Sequence, residues 1–403
     1  MTERWTQRID PRWVLALTCV LGWAFKGHCG ASWVGSIQYV TGCYSDAVPF
    51  WGLRGVAAGQ IPYLEARMEY PVLTGLLIWA EGFVTRTAFG SSATAAHFLF
   101  VVAAVNAALA FVVLGMMRRA GVDRPRQLAW AAAPPLVLYL GHNWDMLAVT
   151  FAVAAMLAAR GGDAPRATAL AALGGAAKLF PVLLLPLFGL GALFSRGGAG
   201  IPQRVVAAAV LVVVAIVSWG LVNLPVALSA FTNWSEFYSF SSARAGTAGS
   251  VWEILAQSGW WVTTIPERNL WSGGIFVGGA GLIVGAGWWR HGAQPWLLFA
   301  PVLAWFLLTN KVYSPQFDLW LYPMLLLTSY RLWPVAWFAI GDIAAYFAEF
   351  WYFAGLDGQH PAATLSEIAL AAGFRAAALL WIIGAALRCP APIWVASAEP
   401  HSA

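Results

Sequence analysis

Polar residues are scarce in this chain, and those able to do chemistry gather in a few short segments between long apolar runs. The first segment reads Cys43-Tyr44-Ser45-Asp46, then Arg54 and Gly59, Pro62-Tyr63, and Glu69-Tyr70-Pro71. An acidic residue early in such a loop, here Asp46, can act as a general base on a hydroxyl group. Glu65 and Glu69 are rival bases in the same loop. Tyr63 and Tyr70 can line a cleft of sugar size, because aromatic rings stack on the apolar faces of sugars while the phenol bonds outward. Taken singly, an aspartate in a loop more often faces solvent or caps a helix.

Further segments add polar groups of other kinds. His142-Asn143-Trp144-Asp145 supplies donors and acceptors, and the same residues can simply cap the helix that follows. Lys178 sits beside Leu179-Phe180-Pro181 in a short apolar hairpin, where a lysine needs an anionic partner. Asn310-Lys311-Val312-Tyr313-Ser314-Pro315-Gln316-Phe317-Asp318 is a dense polar run between two apolar stretches. Arg244 lies in Phe240-Ser241-Ser242-Ala243-Arg244. Together Lys178, Lys311 and Arg244, with His142 next in line, can hold a phosphate or pyrophosphate through charge-assisted bonds.

The elements that carry these segments follow from composition. The 403 residues are 60% hydrophobic and 10% charged, whereas soluble domains carry about 25% charge. The apolar runs approach the roughly 20 residues that cross a bilayer as a helix. An all-α polytopic membrane protein of about twelve spans is expected, as a single domain over residues 1–403. The arginines, spread singly or in pairs between apolar runs, encode topology, and nucleic-acid binding is not expected. Arg4, Arg8 and Arg12 put the N-terminus in the cytoplasm, and Arg388 puts the C-terminus there. Residues 26–92 then form a long first outer loop and residues 225–271 a second. The apolar stretch Pro71–Phe89 is read as interfacial. Glu81 interrupts it, and a full crossing would deliver Arg118, Arg119, Arg124 and Arg126 to the outside. All three lysines, Lys26, Lys178 and Lys311, fall on the outer side. Cys29 and Cys43 share a loop and form either a disulfide, if that loop is extracytoplasmic, or two free thiols.

The run Asp46 … Arg54-Gly55 … Gly59 … Pro62-Tyr63 … Glu69-Tyr70-Pro71 resembles the first outer loop of GT-C membrane glycosyltransferases, glycosyltransferase family 87 and its actinobacterial relatives in particular. The resemblance extends in order through Lys178-Leu179-Phe180-Pro181 to Asn310-Lys311 … Ser314-Pro315-Gln316. It departs from the family at Val72, where a second proline often follows the first. It implies a GT-C bundle in the plasma membrane, with interfacial helices in the first outer loop and the active site outside. It implies inverting transfer of a sugar, mannose above all, from a polyprenyl-phosphate-linked donor to a glycolipid or glycan acceptor in envelope synthesis. Asp46 would be the catalytic base. Lys311, Arg244, Lys178 and His142 would hold the donor phosphate. Tyr63, Glu69, Tyr70, Asn143, Asp145, Asn310, Tyr313 and Gln316 would contact sugar and acceptor. No cofactor is expected, and the lack of a second acidic residue beside Asp46 argues against a metal. Membrane lipids are the remaining partners. A transporter or lipid flippase is the competing reading, with Asp342 and Glu349, seven residues apart on one helix face, as a proton path. A scaffold that binds donor without turnover is a third.

Overall fold

The computed structural model describes residues 9–31, 33–194 and 200–396. Arg4 and Arg8, which the sequence reading counts as topology signals, lie outside the described residues. Among the described residues the chain is helical without strands; Pro62 and Ala66 form one isolated bridge. The helices are α1 (Pro11–Gly27), α2 (Ile37–Val40), α3 (Ala47–Leu53), α4 (Val72–Phe89), α5 (Ala95–Arg119), α6 (Arg124–Ala131), α7 (Pro134–Tyr139), α8 (Asp145–Arg160) and α9 (Ala164–Ala177). They continue as α10 (Leu184–Leu193), α11 (Ile201–Ser229), α12 (Phe231–Ala243), α13 (Val251–Gln257), α14 (Ile265–His291), α15 (Phe299–Thr309), α16 (Phe317–Thr328), α17 (Trp333–Leu356), α18 (Leu365–Arg388) and α19 (Ile393–Ala396).

Among the described residues five helical segments are long and apolar enough to cross a membrane: Val72–Ser92, Ala95–Arg119, Ile201–Ser229, Ile265–His291 and Leu365–Arg388. Several of the remaining apolar stretches are shorter helices with identifiable breaks. Pro134-Pro135 separates α6 from α7, since proline lacks the amide proton and disfavours helical backbone in the residue before it. Helix starts are well signalled. Thr264 with Glu267 and Thr364 with Glu367 form capping boxes, and Asp123, Asp163 and Ser250 cap α6, α9 and α13.

Adjacent helices pair as hairpins: α8 on α9, α14 on α15 and α17 on α18. The main core gathers Trp130, Tyr139, Trp296, Phe299, Phe338 and Tyr346 among many aliphatic side chains. A second core lies under the first long loop, where Phe50, Tyr63, Met68 and Tyr70 pack on Phe98, Val102 and Trp144. Helices α11 and α14 are different: their apolar faces are mostly exposed, as for helices whose solvent is lipid.

The bundle has two chemically distinct ends. At one, Arg160 donates to the carbonyls of Ala120 and Trp394, Arg126 to those of Leu326 and Ser329, and His291 meets the Ala386 carbonyl. The opposite end holds Asp46, His142, Lys178 and Lys311. Helix α4 keeps to this second end along its length. Thr74 in its first turn donates to the Ala177 carbonyl, Glu81 accepts from Trp144 Nε1 at 2.6 Å, and Arg86 in its last turn donates to the Val56 carbonyl. Glu81 is buried against protein, its carboxyl on Trp144.

Three ionisable residues lie deep between α16, α17 and α18. Arg375 Nη1 donates to Asp318 Oδ2 at 2.8 Å, and its guanidinium stacks 3.7 Å from the Tyr313 ring centroid. Asp342 accepts from the Tyr139 hydroxyl beside them. Gly341 is needed where α17 meets α18, because a β-carbon there would fall 2.8 Å from Arg375 Cα.

Candidate active site

Segments far apart in the chain converge on one cavity of about 680 Å³. Asp46 is carried at the start of α3. Its amide donates to the His142 carbonyl at 2.8 Å, which ties the first loop to the α7–α8 turn. Oδ1 accepts from the Tyr44 hydroxyl at 2.9 Å and Oδ2 from the Tyr70 hydroxyl at 2.8 Å. Each carboxylate oxygen keeps a further lone pair, so the half-buried group can still accept a proton. Burial raises the Asp46 pKa from its ordinary value. The hydrogen bonds from Tyr70 and Tyr44 and the charge of Lys178 oppose this, and Asp145 adds to it. The result is a stronger base than a free carboxylate.

The rival carboxylates of this loop are occupied. Glu69 lines the cavity but is ion-paired with Arg54, which lines it too. Glu65 accepts the Ile61 amide at 2.8 Å on the exposed outer surface and closes its own turn. The tight turn ahead of them depends on Gly55 and Gly59, at φ +66° and +76°, where a side chain would be strained.

The cations divide sharply by what they bind. Lys178 Nζ sits 2.8 Å from Asp145 Oδ1 and 4.8 Å from the Tyr70 ring centroid, and Asp145 Oδ2 accepts from Trp320 Nε1 at 2.6 Å. Lys178 therefore reaches the cavity with its charge already balanced. Lys311 Nζ donates to the carbonyls of Ser242 and Arg244, both at 2.9 Å, and is almost fully buried. Lys26 is fully buried, and its Nζ holds the carbonyls of Gly42 and Tyr44 and the Tyr346 hydroxyl. Arg67 and Arg268 are paired with Glu236 and Glu253. Arg244 stands apart. It lines the cavity half-buried, its guanidinium rests 5.4 Å from the Phe240 ring centroid, and among the described residues no carboxylate lies within ion-pair reach.

Several roles expected from the sequence change on this geometry. His142 lines the cavity, but burial and the nearby Lys26 and Lys178 push its pKa well below the ordinary value. It is a neutral ring in contact with Lys26 at 3.3 Å rather than a cation for phosphate. Lys311 acts as a clamp on the Ser242–Arg244 backbone, so its charge serves to place Arg244. Tyr63 is buried and donates to the Tyr70 carbonyl at 2.8 Å, away from the cavity. Asn143 is buried and its Oδ1 caps the Asp145 amide at 3.0 Å, the capping role that its sequence position also allowed. Asp145 is buried under Lys178 and Trp320. Tyr313 is buried, with its hydroxyl 2.6 Å from Asp318. These four support the wall and do not line the cavity. Asn310, Gln316, Glu69 and Tyr70 do line it. Cys29 and Cys43 are joined in a disulfide that braces the loop leading to Asp46.

The sequence reading missed the far wall. Tyr39, Tyr44, Phe350 and Phe353 form a continuous aromatic surface, with ring centroids 5.5–6.2 Å apart. Glu349, one residue before Phe350, lines the same wall and has no ion-pair partner among the described residues. The signal was present in the aromatic run at the end of α17, but nothing local in the sequence says that this run meets the first loop. Asp342, paired with Glu349 in the proton-path reading, is instead held in the Asp318–Arg375 cluster away from the cavity.

No protein-family model matches the chain, and no curated protein matches it.

Proposed function

We propose that the protein is an inverting glycosyltransferase of GT-C type that takes a sugar from a polyprenyl-phosphate donor. One observation carries the reading. A carboxylate held by two phenols, and an arginine with no carboxylate partner among the described residues, line a single cavity together with an aromatic wall. Asp46 takes the proton of the acceptor hydroxyl as its oxygen attacks the anomeric carbon. The bond from that carbon to the phosphate oxygen breaks, and the electron pair leaves with the lipid phosphate. Arg244 stabilises the charge that grows there, where a preorganised cation lowers the barrier most. A phosphate leaves without protonation, so no general acid is required. One direct displacement inverts the anomeric carbon.

Tyr39, Tyr44, Phe350 and Phe353 offer rings for the apolar face of a sugar, and Glu349 an acceptor for its hydroxyls. Phe237, Phe240 and Phe306, also on the cavity, suit the first units of a polyprenyl tail. In this reading the cavity end is extracytoplasmic, the disulfide belongs to that oxidising side, and the arginine-rich end with both termini is cytoplasmic. The shorter helices complete about twelve membrane segments. The acceptor is a hydroxyl of a glycolipid or glycan, and mannose is the sugar the resemblance favours.

The test is incubation of the reconstituted protein with a panel of polyprenyl-phosphate sugars and hydroxyl acceptors. Acceptor-dependent release of free polyprenyl phosphate from one donor is the expected result. No release from any donor, together with donor-independent substrate counterflow in vesicles, would replace this reading with transport.

A further inference from the structure

A second cavity, of about 760 Å³, opens at the arginine-rich end, remote from Asp46. It lies between the first turns of α17 and the last turns of α18. Its apolar wall is tryptophan: Trp333 packs on Trp381 at 5.5 Å and on Trp337 at 6.3 Å between centroids. Trp333 and Trp381 are 48% and 54% exposed, a large apolar surface to leave uncovered. Two arginines, Arg331 and Arg388, line the rim. Both are exposed, and among the described residues neither is ion-paired. Above the rim the flanks of α17 and α18 stay apolar and exposed, through Ile340, Phe374 and Leu380.

An occupant must therefore be apolar along its length, negative at one end, and able to approach from the side of the bundle. A soluble anion leaves the tryptophans uncovered, and an uncharged lipid leaves the arginines unanswered. Basic pockets between helices at a membrane surface are suited to lipid phosphates, and tryptophan is at home at the headgroup boundary. We infer that this groove is a binding site for an anionic phospholipid, its phosphate between Arg331 and Arg388 and its acyl chains along Trp333, Trp337 and Trp381. The site is independent of the transferase reading, because it rests on a different cavity at the other end of the bundle.

The experiment compares retention of phosphatidylglycerol and phosphatidylcholine by native mass spectrometry, after reconstitution of the full chain in vesicles holding equal amounts of the two. Wild-type protein should retain phosphatidylglycerol preferentially. Arg331→Gln with Arg388→Gln should erase the preference, by roughly fivefold for each arginine. Arg290→Gln, at the exposed end of α14 outside the groove, should keep it. Equal retention of both lipids by the wild type would overturn the proposal without any variant. So would a preference that survives the double substitution, or one lost equally in Arg290→Gln, which would trace it to general surface charge.

Discussion

Replacing Asp46 by asparagine separates chemistry from architecture at this site. The carboxylate accepts one hydrogen bond on each oxygen, from Tyr44 and Tyr70. Asparagine keeps an acceptor for one phenol, and the other can turn its hydroxyl to accept from the new amide. The backbone amide that bonds His142 is unchanged. The exchange trades charged for neutral hydrogen bonds, a loss of about 1 kcal/mol for each, and it removes a desolvated charge, which offsets part of that loss. Folding and donor binding should therefore stay near wild type. The base, however, is gone. General-base catalysis contributes roughly 10²–10⁴-fold, or about 3–5 kcal/mol of barrier. The assay is release of polyprenyl phosphate under saturating donor, with donor affinity measured separately by isotherm. Glu69→Gln serves as the comparison. It breaks the ion pair with Arg54, a wall contact, and should give a partial defect shared between kcat and KM. An active Asp46→Asn protein beside a dead Glu69→Gln protein would refute the assignment of the base.

Three other outcomes follow from the same geometry. Tyr70→Phe removes a hydrogen bond that holds the Asp46 pKa down, so the acid limb of the kcat/KM profile should move to higher pH, with the largest losses on the acidic side; an unmoved limb would detach Asp46 from it. Arg244→Ala should lower kcat/KM for the donor by about ten- to a hundredfold, the worth of a charge-assisted bond, with part of the loss in kcat because the charge grows in the transition state, and leave acceptor KM little changed; equal effects on both substrates would move the phosphate site elsewhere. Cys29→Ala with Cys43→Ala opens a link across 14 residues, so thermal unfolding should show a loss of about 3 kcal/mol; an unchanged midpoint would mean that packing alone holds the loop.

How far the sequence foretold this arrangement depends on whether a feature is local. Helix starts at Thr264 and Thr364 are written in adjacent residues, and the structure has capping boxes there. Asp46, Lys178, Arg244 and Lys311 were chosen from separate segments, and all reach one cavity because those segments fall at the same end of the bundle. What each does there was not legible. A lysine offered to a ligand and a lysine spent on two backbone carbonyls have the same one-letter code, and only the position of Ser242 and Arg244 distinguishes them for Lys311. Tyr63 and Tyr313 look like cleft tyrosines in sequence but point into packing. The aromatic wall from Tyr39 to Phe353 joins residues more than three hundred positions apart, and no periodicity encodes such a meeting. Among the described residues the five long apolar helices stand out by length, Val72–Ser92 despite its buried Glu81, whereas proline breaks obscure the shorter ones.

The buried cluster of Asp318, Asp342 and Arg375 also bears on how the chain is made. Asp342 and Arg375 lie near the middles of α17 and α18. Released singly into hydrocarbon, each charge would cost about 2.5–3.5 kcal/mol during insertion. Arg375 finds its counter-charge only once α18 has folded back on α17 and reached Asp318 on α16. Helices α16, α17 and α18 should therefore leave the insertion machinery as a group, held back until the arginine arrives. A nascent chain cut short before Arg375 would carry Asp318 and Asp342 without it, a marked substrate for membrane quality control.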